Sequence, residues 1–363
     1  MNPLRRLQDF GQHVYLDEIS RRMLTDGSLK KLIDEDGING VTSNPAIFEK
    51  AIAGSDDYAD AIRELAAAGH GVEAIYEELV VRDIRDAADA FRPQFDASSG
   101  LSGFVSLEVS PLLADDTEGT VSEARHLWQR LDRPNVFIKV PGTAAGVPAV
   151  RQLTEDGINV NVTLLFGLDR YREVALAFIE GLERRLGPGL SVSGLESVAS
   201  FFLSRIDVLL DPQLTALGSE DAAALRGRVA IANAQAAWLA WKELFGSERF
   251  AKLQAQGARP QRLLWASTGT KDPAYSDTMY VEPLIGPDTI NTMPPATLDA
   301  YRDHGEPADR LAAGATGAQE VLASLAALGV DLDAATSQLE QEGVEKFRQP
   351  FNSLLETIRA QLG

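Results

Sequence analysis

The chain has 363 residues, no cysteine, four histidines and a formal charge of −19. Without cysteine there is no disulfide, thiolate nucleophile, iron–sulfur cluster or cysteine-ligated zinc, and His13, His70, His126 and His304 form no His-x-x-x-His pair. A chain this acidic repels a nucleic-acid backbone and an anionic membrane, so neither is expected as a partner.

In chain order, residues 1–10 carry Arg5 and Arg6 but no apolar run, so they do not read as a signal peptide. No stretch of about 18 apolar residues follows, and a cytoplasmic protein is the expectation. Strands are expected at 13–19, 40–44, 104–110, 136–140, 159–166, 197–202, 262–267 and 288–293. Between them lie helices, at 73–91 with Ile75, Leu79 and Ile84 on one stripe, and at 170–186 with Asp169 as its cap. Residues 219–245 are Ala-rich and read as a helical excursion, and several helices follow Pro295, the last over 338–362. Eight strands alternating with helices predict an α/β chain, a (β/α)8 TIM barrel with additional helices. Residues 1–363 are expected to form one barrel domain, with 296–363 a C-terminal helical extension packed on it.

The strands carry unusual polar residues. Strict alternation places Ser106, Glu108 and Ser110 on one face, Phe137 and Lys139 on another, and likewise Asn159, Asn161 and Thr163, and His13, Tyr15 and Asp17. In a barrel the apolar face meets the helices, so these polar faces converge inside, toward the strand ends where barrel active sites lie. Each residue alone has a bland reading: a rim lysine, a structural carboxylate, a barrel hydrogen bond. Lys139 departs from it because Val136, Phe137, Ile138 and Val140 flank it and a Pro141-Gly142-Thr143 turn follows. Asn161-Val162-Thr163 also matches a glycosylation sequon, by chance inside a strand. A buried lysine amine favours its neutral form and can attack a carbonyl; the Schiff base it forms is an electron sink that needs no metal. No Gly-x-Gly-x-x-Gly turn, Walker A loop or pyridoxal-phosphate loop is apparent, so no cofactor is expected.

At this point the motifs resemble those of the transaldolase family. Gly40-Val41-Thr42-Ser43-Asn44-Pro45-Ala46-Ile47-Phe48 is similar to its first signature. Val136-Phe137-Ile138-Lys139-Val140-Pro141-Gly142-Thr143 is similar to the second, which holds the Schiff-base lysine, and Asn159-Val160-Asn161-Val162-Thr163 to a later barrel strand. The resemblance implies a pentose-phosphate-pathway enzyme. It would move a dihydroxyacetone unit from sedoheptulose 7-phosphate to glyceraldehyde 3-phosphate, giving erythrose 4-phosphate and fructose 6-phosphate. It implies Lys139 as the imine lysine and Asp17 as the base that takes the C4 hydroxyl proton. Glu108 and Thr163 would work through a water, and Asn44 and Asn161 would bind hydroxyls. Ser200 would line the pocket, and Arg205 and Ser267 would hold phosphate. Many members have an arginine where this chain has Gly269, and Lys271 is expected to replace its charge. Small sugar phosphates are the expected partners, no metal is required, and the chain would be a monomer or homodimer. The alternatives are an aldolase that releases free dihydroxyacetone, a non-catalytic sugar-phosphate-binding barrel, and a metal-dependent lyase or isomerase.

Overall fold

The computed structural model describes residues 2–362. Eight parallel strands close in sequence order into a barrel: β1 Gln12–Leu16, β2 Gly40–Val41, β3 Phe104–Glu108, β4 Val136–Pro141, β5 Val160–Leu165, β6 Ser197–Phe202, β7 Arg262–Ala266 and β8 Thr289–Met293. Pairing of Gln12 with Thr289 and Leu16 with Met293 closes the ring. Every expected strand is present, and the differences lie at their ends. The first strand stops before Asp17, whose N–H donates to Met293 O at 2.8 Å while its side chain turns to the barrel mouth. The second ends at Val41 because Asn44 serves as a helix cap. Its Oδ1 accepts from Ile47 N at 3.0 Å, and Pro45 opens the helix Pro45–Ala53.

The helices need four corrections. The helix expected over 73–91 runs Val72–Ala97, continuing through Pro93. The helix expected from 170 spans Leu168–Leu186 with Gly167 as its cap, so Asp169 sits in the first turn, where its charge complements the helix N-terminus. The 219–245 stretch is two helices, Glu220–Leu225 and Val229–Phe245, broken at Gly227, whose φ is +68°. Two aspartates on the helix Ser204–Leu217 stabilise the break: Asp211 accepts from Gly227 N and Asp207 from Ala230 N. The last helix runs over Leu332–Gln361, starting six residues earlier than expected because Asp331 accepts from Ala334 N.

Inside, the barrel is layered. Its floor holds a buried ionic group: Glu196 bridges Arg259 at 2.6 Å and Arg262 at 3.7 Å, and Arg262 donates to His13 Nδ1 at 3.2 Å. Burial and Arg262 push His13 down to about 3, so it is a neutral acceptor. Above the floor, Phe104 and Phe137 stack with centroids 4.3 Å apart. Tyr15 crosses beside Gly40, where a Cβ would lie 2.4 Å from Phe104 O and 2.8 Å from the Tyr15 ring, so no other residue fits. The next layer up is polar: Glu108 pairs in register with Lys139, and Lys139 with Asn161.

The C-terminal helix Leu332–Gln361 packs against the helices Pro45–Ala53, Val72–Ala97 and Ser204–Leu217. Four contacts along its length hold it: Glu340 to Arg170 at 3.1 Å, Arg348 to Asp115 at 2.8 Å, Phe351 edge-on to Tyr76 at 5.3 Å, and Ser353 to Glu49 at 2.9 Å. At Gly343 a Cβ would stand 3.0 Å from Leu164 Cδ2 and 3.6 Å from Arg205 Nη1, so glycine permits the close approach of this helix to the barrel mouth. Among the described residues no single helix is long and apolar enough to cross a membrane.

Candidate active site

A cavity of about 190 Å3 opens at the C-terminal ends of the strands. Asp17, Asn44, Lys139, Thr163, Ser200, Arg205, Ser267 and Lys271 line it, eight of the ten residues the sequence singled out. Glu108 and Asn161 sit in its wall. Glu108 Oε2 is 3.5 Å from Lys139 Nζ, both groups being almost fully buried. Asn161 is completely buried: its amide donates to Ser106 Oγ at 3.1 Å and accepts from Ser200 Oγ at 2.6 Å.

Lys139 Nζ donates to Ser43 O at 3.0 Å. Burial raises the Glu108 carboxyl to about 7, against the opposing pull of the Lys139 ammonium. Both Glu108 oxygens and Thr163 Oγ1 are buried without a hydrogen-bond partner, which leaves them free for water or substrate. Thr163 is presented there by a bulge: the β5–β6 register shifts between Val162 and Leu165, and Leu164 takes φ +62°. A positive φ at leucine is worth about 1–3 kcal/mol of strain, and such strain gathers at functional sites.

Asp17 accepts from Thr42 Oγ1 at 2.6 Å, and Thr42 Oγ1 in turn lies 2.6 Å from Thr292 Oγ1. Burial raises the Asp17 carboxyl above its ordinary range, though Lys139, the Thr42 bond and Arg205 oppose it. Asn44 spends its oxygen on the helix cap, so its amide N–H groups are what it offers the cavity. Arg205 lies in the first turn of the helix Ser204–Leu217 after β6, with Nη1 buried and unpartnered and its guanidinium 5.2 Å from the Phe202 ring. Ser267, at φ +55°, meets Ser204 Oγ at 2.9 Å. Lys271 Nζ lies 3.7 Å from where a Cβ on Gly269 would stand, so its amine occupies space vacated by the missing side chain. The loop carrying Lys271 is tied to the Arg205 helix by Tyr275 OH donating to Asp211 at 2.7 Å.

Three cavity groups carried no sequence signal strong enough to single them out. Thr292, in β8, orients Thr42. Phe202 faces Arg205. Phe347 comes from the C-terminal helix, with its ring centroid 5.6 Å from Lys139 Nζ. Phe347 is on a helix stripe with Val344, Phe351 and Leu354, which reads in sequence as ordinary core.

A (β/α)8 barrel with a buried lysine beside Glu108, and with Asp17, Arg205 and Lys271 lining the same cavity, defines an enzyme equipped for amine-based carbonyl chemistry. The comparisons with known proteins make this specific. The family described as transaldolase/fructose-6-phosphate aldolase matches residues 14–358. A transaldolase of Parafrankia sp. (strain EAN1pec) is 50% identical over 362 residues, 99% of this chain and 98% of its own. One from Thiobacillus denitrificans is 49% identical, covering 99% of this chain and 100% of its own, and transaldolase 2 of Streptomyces coelicolor is 48% identical over 99% and 97%. The chain belongs to the transaldolase/fructose-6-phosphate aldolase family.

Proposed function

We propose that this enzyme carries a dihydroxyacetone unit between sugar phosphates as an imine of Lys139. The observation that supports this most directly is the setting of the Lys139 amine, buried at the cavity beside Glu108, with the Phe347 ring 5.6 Å away. In this reading the amine adds to the ketone carbon of sedoheptulose 7-phosphate or fructose 6-phosphate. Glu108, balanced near neutrality, moves protons through a water held with Thr163 while the carbinolamine loses water. Asp17 takes the C4 hydroxyl proton, the C3–C4 bond breaks, and its electrons settle in the enamine on Lys139. The aldose phosphate leaves. Asn44 and the Ser200 hydroxyl, the latter braced by Asn161, hold the three-carbon unit. The enamine then attacks an incoming aldose phosphate, whose oxygen takes the proton back from Asp17, and water adds to the resulting imine carbon, so that the C–N bond breaks and the ketose phosphate and the Lys139 amine are freed. Arg205, Ser267 and Lys271 bind the phosphate, the planar arginine giving a two-point contact. The substrates are small cytoplasmic metabolites.

The test is borohydride trapping. Incubation with fructose 6-phosphate and borohydride adds a reduced three-carbon or hexose adduct to the Lys139 peptide, and Lys139→Ala abolishes both adduct and activity. Activity surviving in Lys139→Ala would refute the assignment. An unmodified, inactive wild type would favour a binding barrel instead.

A further inference from the structure

Lys271 reaches the cavity from the loop between β7 and β8, where it is exposed and its amine stands at the end of a flexible four-carbon stem. Holding such an amine against a phosphate costs side-chain freedom, so its affinity depends on how firmly the backbone beneath it is fixed. That backbone is fixed from outside the cavity. The segment 271–275 is pinched at its base, where Thr270 Oγ1 donates to Ser276 O at 2.8 Å. Within it Asp272 closes a turn, its carbonyl accepting from Tyr275 N at 3.1 Å and its Oδ1 from Ala274 N at 2.9 Å. Lys271 and Tyr275 thus flank one short, hydrogen-bonded turn.

The helix Ser204–Leu217 supplies the anchor. Asp207 and Asp211 stand one turn apart on it, and the two carboxylates are shared in the same way. Asp207 accepts from Ala230 N at 2.9 Å and from Tyr280 OH at 2.9 Å, and Asp211 accepts from Gly227 N at 3.0 Å and from Tyr275 OH at 2.7 Å. Both tyrosines belong to the Lys271 loop, and both N–H donors lie at the break between Glu220–Leu225 and Val229–Phe245. Asp211 is buried, which shields its short bond to Tyr275 from competing water. The Tyr275 ring also lies over Gly227, where a Cβ would stand 2.9 Å from Cζ. Arg205 is in the first turn of the same helix. One helix therefore sets both cations, Arg205 directly and Lys271 through the Tyr275 turn.

We propose that Tyr275 is a positioning residue for phosphate recognition: its bond to Asp211 holds Lys271 at the spacing from Arg205 that a sugar phosphate requires. This rests on the phosphate role given to Lys271 above. Tyr275 does not line the cavity, so what it does for substrate passes through the lysine.

The experiment removes only the hydroxyl, with Tyr275→Phe, which keeps the ring over Gly227. Wild type, Tyr275→Phe, Lys271→Ala and the double variant are compared as full chains. Calorimetry gives the Kd for inorganic phosphate. Steady-state kinetics gives KM and kcat for fructose 6-phosphate with erythrose 4-phosphate as acceptor. Borohydride trapping gives the dihydroxyacetone concentration for half-maximal adduct on Lys139. Tyr275→Phe is expected to raise the phosphate Kd and the KM together by about 3- to 10-fold, with kcat and the dihydroxyacetone value unchanged. Dihydroxyacetone carries no phosphate, so its constant value also shows that the barrel is intact. In the Lys271→Ala background the same substitution should add nothing, because a positioning residue has no effect once the charge it positions is gone. A phosphate Kd unchanged in Tyr275→Phe overturns the proposal. So does an equal rise in both backgrounds, which would mean that the hydroxyl acts on the fold at large. A phosphate Kd unchanged in Lys271→Ala removes the lysine from the phosphate site, and the proposal with it. Absence of the Lys139 adduct from wild type defeats the imine reading alone, and the phosphate measurements still decide the role of Tyr275.

Discussion

Glu108→Gln isolates the consequence of burying a carboxyl beside the reactive amine. Burial moves Glu108 from an ordinary 4.5 to about 7, so ionising it inside the folded barrel is disfavoured by about 3 kcal/mol, at about 1.4 kcal/mol per pH unit. The folded chain therefore holds this proton more tightly than the unfolded chain. Stability contributed by the group is fully present below about 4.5 and is lost as pH rises toward about 7. Glutamine has the same shape and cannot ionise, so it escapes that loss. The gap in melting temperature between Glu108→Gln and wild type should thus widen, in favour of the variant, by several degrees between about pH 5 and about pH 8. Activity should move the opposite way. Loss of a proton carrier is worth roughly 10²–10⁴ in kcat, and the wild-type limb near neutrality in log kcat/KM should disappear. Differential scanning fluorimetry across pH and a coupled assay of erythrose 4-phosphate consumption read the two effects separately. Melting curves that run parallel over the whole range would refute the burial argument, and an unchanged limb in the variant would remove Glu108 from the proton path.

Four other outcomes follow from the same geometry. Asp17→Asn should lower kcat by roughly 10²–10⁴ while the Lys139 adduct still forms, as intact mass after borohydride reduction would show. Lys271→Ala should raise KM for phosphorylated substrates and leave kcat and the turnover of an unphosphorylated ketose unchanged. Arg205→Ala should raise KM further, because its guanidinium is more buried; steady-state kinetics with paired substrates distinguishes the two. Gly40→Ala should destabilise the barrel severely, since the new methyl would meet Phe104 O at 2.4 Å; yield of soluble chain and circular dichroism measure the loss.

The barrel was legible because a parallel strand alternates its side chains regardless of its partners. Phe137 and Lys139, or Asn161 and Thr163, could be assigned to one face before any strand was paired. The site's lysine and carboxylates stood out because charged groups are rare within apolar runs, and their register in space, Glu108 beside Lys139 beside Asn161, follows from neighbouring strands reaching equal height. What was hidden depends on distant or singular geometry. Phe347 lies 208 positions from the lysine that its ring covers, and nothing within its helix stripe tells roof from core. The bulge at Leu164 leaves no mark either, because leucine is not a residue that favours positive φ. Asn161, which likeness places at the substrate, bonds Ser106 and Ser200 within the cavity wall, pairings that depend on three strands and leave no mark in the sequence.

Net charge illustrates the same limit from the opposite side. A formal −19 would seem to oppose sugar phosphates, yet most of those acids are on the surface, and salt screens exposed charges beyond about 10 Å. Inside the cavity the balance is local. Lys139, Arg205 and Lys271 line it together with Asp17, and burial raises the neighbouring Glu108 carboxyl to about 7. In the proposed imine of Lys139, Arg205 and Lys271 are the cations lining that cavity that stay available to a phosphate. One is half-buried with its Nη1 buried and unpartnered, the other exposed on a loop that Tyr275 ties to the same helix. Gly269 therefore does more than lack a charge: by leaving room, it lets Lys271 reach the pocket from two residues further along the chain. Filling that position with a larger side chain would crowd Pro294, 3.1 Å from its Cβ, and displace the lysine amine that stands in for it.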